Sequence, residues 1–116
     1  MAKYETSVKA DFDGLLKFIE DGVMNGSDTA SLEDKSDFVI GDARCSVRVF
    51  ERYSFLGGNR LSMNITLFQK GDKDIKLSAI TAGGSQALIF KVNTFGEKNF
   101  LRTLTDLLEN SRYKIT

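Results

Sequence analysis

Apolar residues recur at every second position through the middle of the chain: Cys45, Val47 and Val49, then Leu61, Met63, Ile65 and Leu67, then Ile75, Leu77 and Ala79. A period of two predicts strands with one buried face. Glycine-bearing turns separate the runs, and their lengths set a register. Gly41-Asp42 reads as a two-residue hairpin that pairs Phe38 with Cys45. Leu56-Gly57-Gly58 reads as a three-residue loop that sets Val49 opposite Ile65 and Val47 opposite Leu67. Lys70-Gly71-Asp72 reads the same way and sets Ile65 opposite Leu77 and Met63 opposite Ala79. Gly83-Gly84 reads as a turn into a further strand, with Ala79 opposite Leu88 and Leu77 opposite Phe90. All four turns keep the apolar sets on one face, and a slip of one residue at any of them breaks that agreement.

The flanking segments change period. Tyr4, Thr6, Val8 and Ala10 alternate with polar residues, so 3–10 reads as a strand. Asp11 is a good N-cap for a helix whose stripe is Phe12, Leu15, Leu16, Ile19 and Val23, and Asn25-Gly26 is a left-handed stop. Near the other end, Thr94-Phe-Gly-Glu97 has the spacing of a capping box. Phe100, Leu101, Leu104, Leu107 and Leu108 then share one side of a second helix. The expected fold is a single α+β domain over residues 1–116. It is a two-layer sandwich: an antiparallel meander of five or six strands with both helices packed on one face.

The opposite parity of that sheet is the surface left over for binding. It is expected to carry Arg48 with Thr66 and Lys76 in one row, Phe50 with Asn64, Ser78 and Ile89 in the next, and Arg52 with Ser62 and Ile80 in a third. One end is cationic and the corner around Ile80 and Ile89 is apolar. Either the face is solvated, with Glu33, Lys35 and Asp37 of the preceding strand balancing the arginines, or it is an interface. Exposed apolar patches mark partner surfaces, and arginine and phenylalanine are enriched there. The candidate interface or ligand face is therefore Arg48, Phe50, Arg52, Asn64, Ile80 and Ile89.

Composition narrows the chemistry. There is no histidine and one cysteine, which removes the commonest general base and leaves no zinc ligand set, so neither a catalytic residue nor a metal is expected. Sixteen acids balance sixteen bases, against a nucleic-acid partner held by bulk charge. The charges are unevenly placed: residues 1–42 hold ten acids and four bases, residues 43–91 three acids and eight bases. Acidic and basic segments are expected side by side in the fold. No run approaches the ~18 apolar residues of a membrane span, and Met-Ala-Lys-Tyr-Glu has no apolar signal core, so a cytoplasmic protein off the membrane is expected.

Three local patterns are weaker than they look. Gly83-Gly84-Ser85-Gln86 lacks the Gly-Lys-Ser/Thr ending of a phosphate loop. Asp72 and Asp74 open like a calcium loop, but Leu77 and Gly83 stand where glycine and glutamate are required. Cys45, on the core parity, is an inert thiol. Glu51 and Tyr53 share the inward parity where the core opens, so a small-ligand pocket or a minor catalytic site would sit there.

Ser31-Leu-Glu-Asp, Arg44-Cys-Ser-Val-Arg-Val-Phe-Glu-Arg-Tyr-Ser, Gly57-Gly58-Asn59-Arg60, Ile80-Thr-Ala-Gly-Gly-Ser-Gln-Ala and Asn93-Thr-Phe-Gly-Glu97 resemble a family of small uncharacterised bacterial proteins, mainly of Gram-positive anaerobes, grouped as a domain of unknown function. The resemblance covers nearly the whole chain and implies a stand-alone cytoplasmic domain, with no activity, cofactor or site to transfer. The element order is also similar to helix-grip folds, which hold apolar ligands between sheet and helix; fold analogy is not function. The expected function is a non-enzymatic interaction module that forms a homo-oligomer, a homodimer at its simplest, through the outer sheet face. The alternative is a carrier of a small apolar or anionic ligand, or a minor enzyme, with its site near Glu51 and Tyr53. No cofactor is expected.

Overall fold

The structure, a computed structural model, describes residues 1–54, 59–83 and 90–116, without the side chains of residues 54, 59 and 90–95. The elements run β1 (Ala2–Lys9), α1 (Phe12–Asn25), β2 (Ser31–Ile40), β3 (Ala43–Ser54), β4 (Asn59–Lys70), β5 (Ile75–Gly83), α2 (Phe90–Glu109) and β6 (Lys114–Ile115). The six strands form one antiparallel sheet in the order β2-β3-β4-β5-β1-β6, and both helices pack on one face of it. This is the two-layer α+β arrangement that the periodicities predict.

α1 forms where the pattern places it. The Asp11 side chain accepts from the Gly14 amide at 2.8 Å, satisfying one of the orphan donors of the first turn. Phe12, Leu15, Leu16, Ile19 and Val23 turn into the core. Its end differs in detail: Gly26 has φ −79°, a right-handed conformation, so the helix closes by the Gly26 amide donating to Val23 O rather than by a left-handed cap.

The meander β2-β3-β4-β5 holds, with two changes of register. Gly41 takes φ +57°, a conformation open to glycine at no steric cost, and Phe38 pairs with Cys45 as the two-residue turn requires. Between β4 and β5 the shift is by two residues: Ile65 lies opposite Ala79 and Leu67 opposite Leu77. An even shift keeps parity, so Leu61, Met63, Ile65, Leu67, Ile75, Leu77 and Ala79 all remain buried. Between β3 and β4 the shift is by one: Val47 pairs with Thr66, Val49 with Asn64 and Phe50 with Met63. An odd shift exchanges the two faces of β3. Ser46, Arg48 and Phe50 are therefore buried beneath the helices, while Cys45, Val47 and Val49 line the other side.

The expected strand after Gly83 is replaced. Phe90 opens α2, and the neighbours of Leu77 are Leu67 on β4 and Thr6 on β1. β1 thus takes the place reserved for that strand, and Leu88 lies outside the described residues, as do Leu56, Gly57, Gly58 and the Gly84-Ser85-Gln86 segment. Thr94 is inside α2, so the capping-box reading does not hold. Glu97, which would have closed that box, is buried and ion-pairs with the Met1 amino group. Its carbonyl accepts from Thr81 Oγ1 at 3.1 Å, tying α2 to β5.

α2 covers β4, β5 and β1 and reaches β3, α1 touches β2, and the far end of β2 overhangs the helices. From Glu33 to Ile40 every residue of β2 is exposed, and the molecule measures 47 × 28 × 22 Å.

Candidate functional site

Three of the residues expected on the outer face sit on the inner one, and the reason is visible at the margin of the helix layer. Arg44, Arg48 and Arg52 alternate along β3 with their stems against the core and their heads at helix groups. The Arg44 guanidinium lies 3.9 Å over the Phe12 ring and pairs with Asp13 at 2.7 Å. Arg48, only 4% exposed, donates from Nε to Glu20 at 2.5 Å and from Nη1 to Asp37 at 3.1 Å. Arg52 lies 4.7 Å over Phe100 and donates to Gly96 O at 3.3 Å. At the edge of a core, a long amphipathic side chain buries its methylenes and delivers its charge to a rim partner. Asp13 and Glu20 are two helical turns apart, about 10 Å, and Arg44 and Arg48 four strand residues apart, about 13 Å, so the two pairs form together. The acid-rich N-terminal part does meet the base-rich middle, across the layers.

Burial works against the Arg48 charge, but its hydrogen bonds to Glu20 and Asp37 outweigh it and raise its pKa above the ordinary arginine value. Burial alone lowers that of Arg52. The Ser46 hydroxyl, donating to Asp37 at 2.6 Å, and then Arg48 hold the Asp37 carboxyl below the usual carboxylate range. A carboxyl with a lower pKa in the fold than in the unfolded chain stabilises the fold above the unfolded value, about 4, and loses that contribution as pH falls through the folded value. Stability should therefore decline below about pH 4. Urea titrations at pH 3 and pH 7 should show a smaller difference for Asp37→Asn than for the wild type.

The outer face, cleared of those arginines, is more apolar than the sequence suggested. Three rows cross it: Phe38-Cys45-Phe68-Lys76-Ser7, Ser36-Val47-Thr66-Ser78-Glu5 and Asp34-Val49-Asn64-Ile80-Lys3. Phe38, Phe68 and Ile80 are 60%, 44% and 39% exposed, and the half-buried Cys45, Val47 and Val49 lie between them. Cys45 is thus corrected from the core to this band. Asn64 and Ile80 stand where they were expected, opposite one another, with Thr66 Oγ1 donating to Asn64 Oδ1 at 3.4 Å. Ile89 lies outside the described residues. Lys76 Nζ donates to Ser7 Oγ at 3.1 Å, in an open groove of about 440 Å³ bordered by Glu5, Thr66, Phe68 and Ser78.

Glu51 and Tyr53 also change sides. They lie on the outer face rather than at the mouth of the core: Glu51 pairs with Arg60 at 2.9 Å, and Tyr53 is exposed with its carbonyl accepting from Thr29 Oγ1 at 3.4 Å. The space between sheet and helices is taken by Phe50, Met63, Ile65, Phe100, Leu104 and Leu108, each at 1% exposure or less. Among the described residues no three metal-ligating side chains converge, and no helix is long and apolar enough to cross a membrane. The inverted face had one signal in the sequence: Phe50, the bulkiest apolar residue between Ala43 and Arg52, shares the parity of the arginines.

Fold and surface together define a two-layer α+β protein that carries helices on one sheet face and an apolar band on the other. The chain belongs to a family of unknown function, DUF6054, whose model matches residues 1–112. No curated protein and no solved structure matches it.

Proposed function

We propose that this protein is a non-enzymatic interaction module that binds a second copy of itself through the outer sheet face. The observation that carries this reading is the apolar band of Phe38, Cys45, Val47, Val49, Phe68 and Ile80, over which no described element packs. Exposed bands of this kind, rimmed by polar groups, are the usual form of a protein contact. The rim holds both signs, Lys3 and Lys76 against Glu5 and Asp34, so a two-fold contact can set unlike charges together. The chain carries no net charge to hold two copies apart. Five strands about 4.8 Å apart and about eight residues long present roughly 650 Å², close to the ~800 Å² that each partner gives to a stable interface. A cytoplasmic setting belongs to the same proposal, since a lone half-buried thiol suits a reducing compartment, and so does the bacterial origin that the sequence resemblance implies.

Sedimentation velocity and native mass spectrometry test it. The wild type should be an even oligomer, and Phe68→Asp with Ile80→Asp should be a smaller species at the same concentration. Both side chains are already exposed, so thermal unfolding of this variant should stay near that of the wild type at low concentration. An oligomer that keeps the wild-type size after the double substitution, with its fold intact, would remove the outer face as the contact.

A further inference from the structure

The two edges of the sheet are unlike. β6, at one edge, is two residues long; β2, at the other, is ten. Long edge strands are commonly blunted by proline, bulges or shortness. This chain has no proline, and the bulge in β2 falls between Leu32 and Asp34, leaving Asp34 to Ile40 in regular pairing with β3. At its end Phe38, Val39 and Ile40 are 60%, 71% and 81% exposed, so both faces of the strand are open.

The hairpin fixes which backbone groups point outward. The pair that flanks a two-residue turn, here Ile40 and Ala43, exchanges both hydrogen bonds, and bonded and non-bonded pairs then alternate. Phe38 and Ser36 accordingly bond to β3. Val39, Asp37 and Lys35 direct their N–H and C=O groups away from the sheet, and the Lys35 N–H donates to Asp34 Oδ1 at 2.8 Å.

We propose that this edge is a docking strand for β2 of a second copy, paired antiparallel about a two-fold axis at Ser36. The inference goes beyond the outer-face contact and does not rest on it. Outward groups must meet outward groups, which leaves a few registers, and charge selects among them. The register centred on Ser36 sets Lys35 against Asp37 of the second copy, twice, with both side chains on the helix side of the sheet. Centring on Asp37 or on Lys35 sets like charges together at the axis. Centring on Phe38 pairs only the last few residues and leaves Lys35 unopposed. An axis at Ser36 stands perpendicular to the sheet, so the helices of both copies lie on one side and the two apolar bands run on across the seam. α1 touches β2 from the helix side, where Arg48 joins Glu20 to Asp37, and Phe38, Val39 and Ile40 beyond that point are exposed.

Backbone hydrogen exchange by NMR, with sedimentation velocity, tests the full chain. In the wild type the amides of Asp37 and Val39 should exchange slowly, and more slowly as concentration rises. Lys35→Glu puts an acid against Asp37 of the second copy, yet within its own chain it faces Arg48, so the monomer keeps its fold. Lys35→Pro removes an outward donor, the one that Asp34 Oδ1 also engages, at an edge position that tolerates proline. Each should weaken association on the order of tenfold or more and free the amides of Asp37 and Val39. Phe68→Asp with Ile80→Asp should leave these amides protected, which separates the two contacts. The proposal is overturned if the amides of Asp37 and Val39 exchange at unprotected rates in the wild type, or if both Lys35 variants associate as the wild type does. The first of those results would leave the edge free for an extended segment of another protein.

Discussion

Phe50→Ala should destabilise the protein by about 3–5 kcal/mol, and Phe68→Ala by less than about 1 kcal/mol. Phe50 is fully buried, with Leu32 and Met63 beside it on neighbouring strands and the helix layer above. Truncating it removes a large buried apolar area and leaves a cavity that the rigid sheet can only partly close. Phe68 is on the other face, nearly half exposed, and loses little that water does not already reach. Urea unfolding at neutral pH and low protein concentration, where association does not contribute, measures both. The experiment also decides which face of β3 is buried. With the opposite parity, Phe50→Ala would be the mild change, and Val47→Ala and Val49→Ala would carry the cost of a core truncation. The order of the two phenylalanines is therefore a direct reading of the β3-β4 register.

That register marks where the sequence stopped being legible. The Gly41-Asp42 turn fixes β2 on β3 because a two-residue hairpin has one common geometry. β4 and β5 keep their faces despite a shift of two, because parity survives any even error. β3 does not, because both of its parities can be buried. One offers cysteine and two valines. The other offers Phe50 with three arginines, and becomes buriable only once α1 supplies Asp13, Glu20 and Phe12 and α2 supplies Phe100 and Gly96. Those partners are remote in sequence, so no local pattern announces them; only the opposite charge of the two segments hinted that they would meet. β1 carries no local signal for its place between β5 and β6 either. The same error moved half of the candidate interface. The outer face as a place, with Asn64 and Ile80 on it, followed from β4 and β5, whereas Arg48, Phe50, Arg52, Glu51 and Tyr53 all depended on β3 and changed sides with it.

The inward arginine row has its own energetic signature, in which base and acids are not equivalent. Arg48→Ala should cost about 2–3 kcal/mol, less than the ~3–5 kcal/mol typical of leaving an uncompensated buried charge. Glu20 and Asp37 have side chains 28% and 52% exposed, so they rehydrate once the guanidinium is gone. What is lost is the buried stem and the charged hydrogen bonds. Glu20→Gln alone should be milder, about 1–2 kcal/mol, since Asp37 and the carbonyls of Ser36 and Val47 still face the guanidinium. Glu20→Gln with Asp37→Asn should exceed the sum of its parts, approaching ~3–5 kcal/mol, because it strands a nearly buried cation without a counter-charge. A double-mutant cycle by equilibrium unfolding measures this directly. If Arg48→Ala stays within about 0.5 kcal/mol of the wild type, the side chain lies on an exposed surface and the inner row is wrong. If the two acids prove additive, they serve separate partners, and Arg48 is not the point at which α1 and the overhanging β2 are joined.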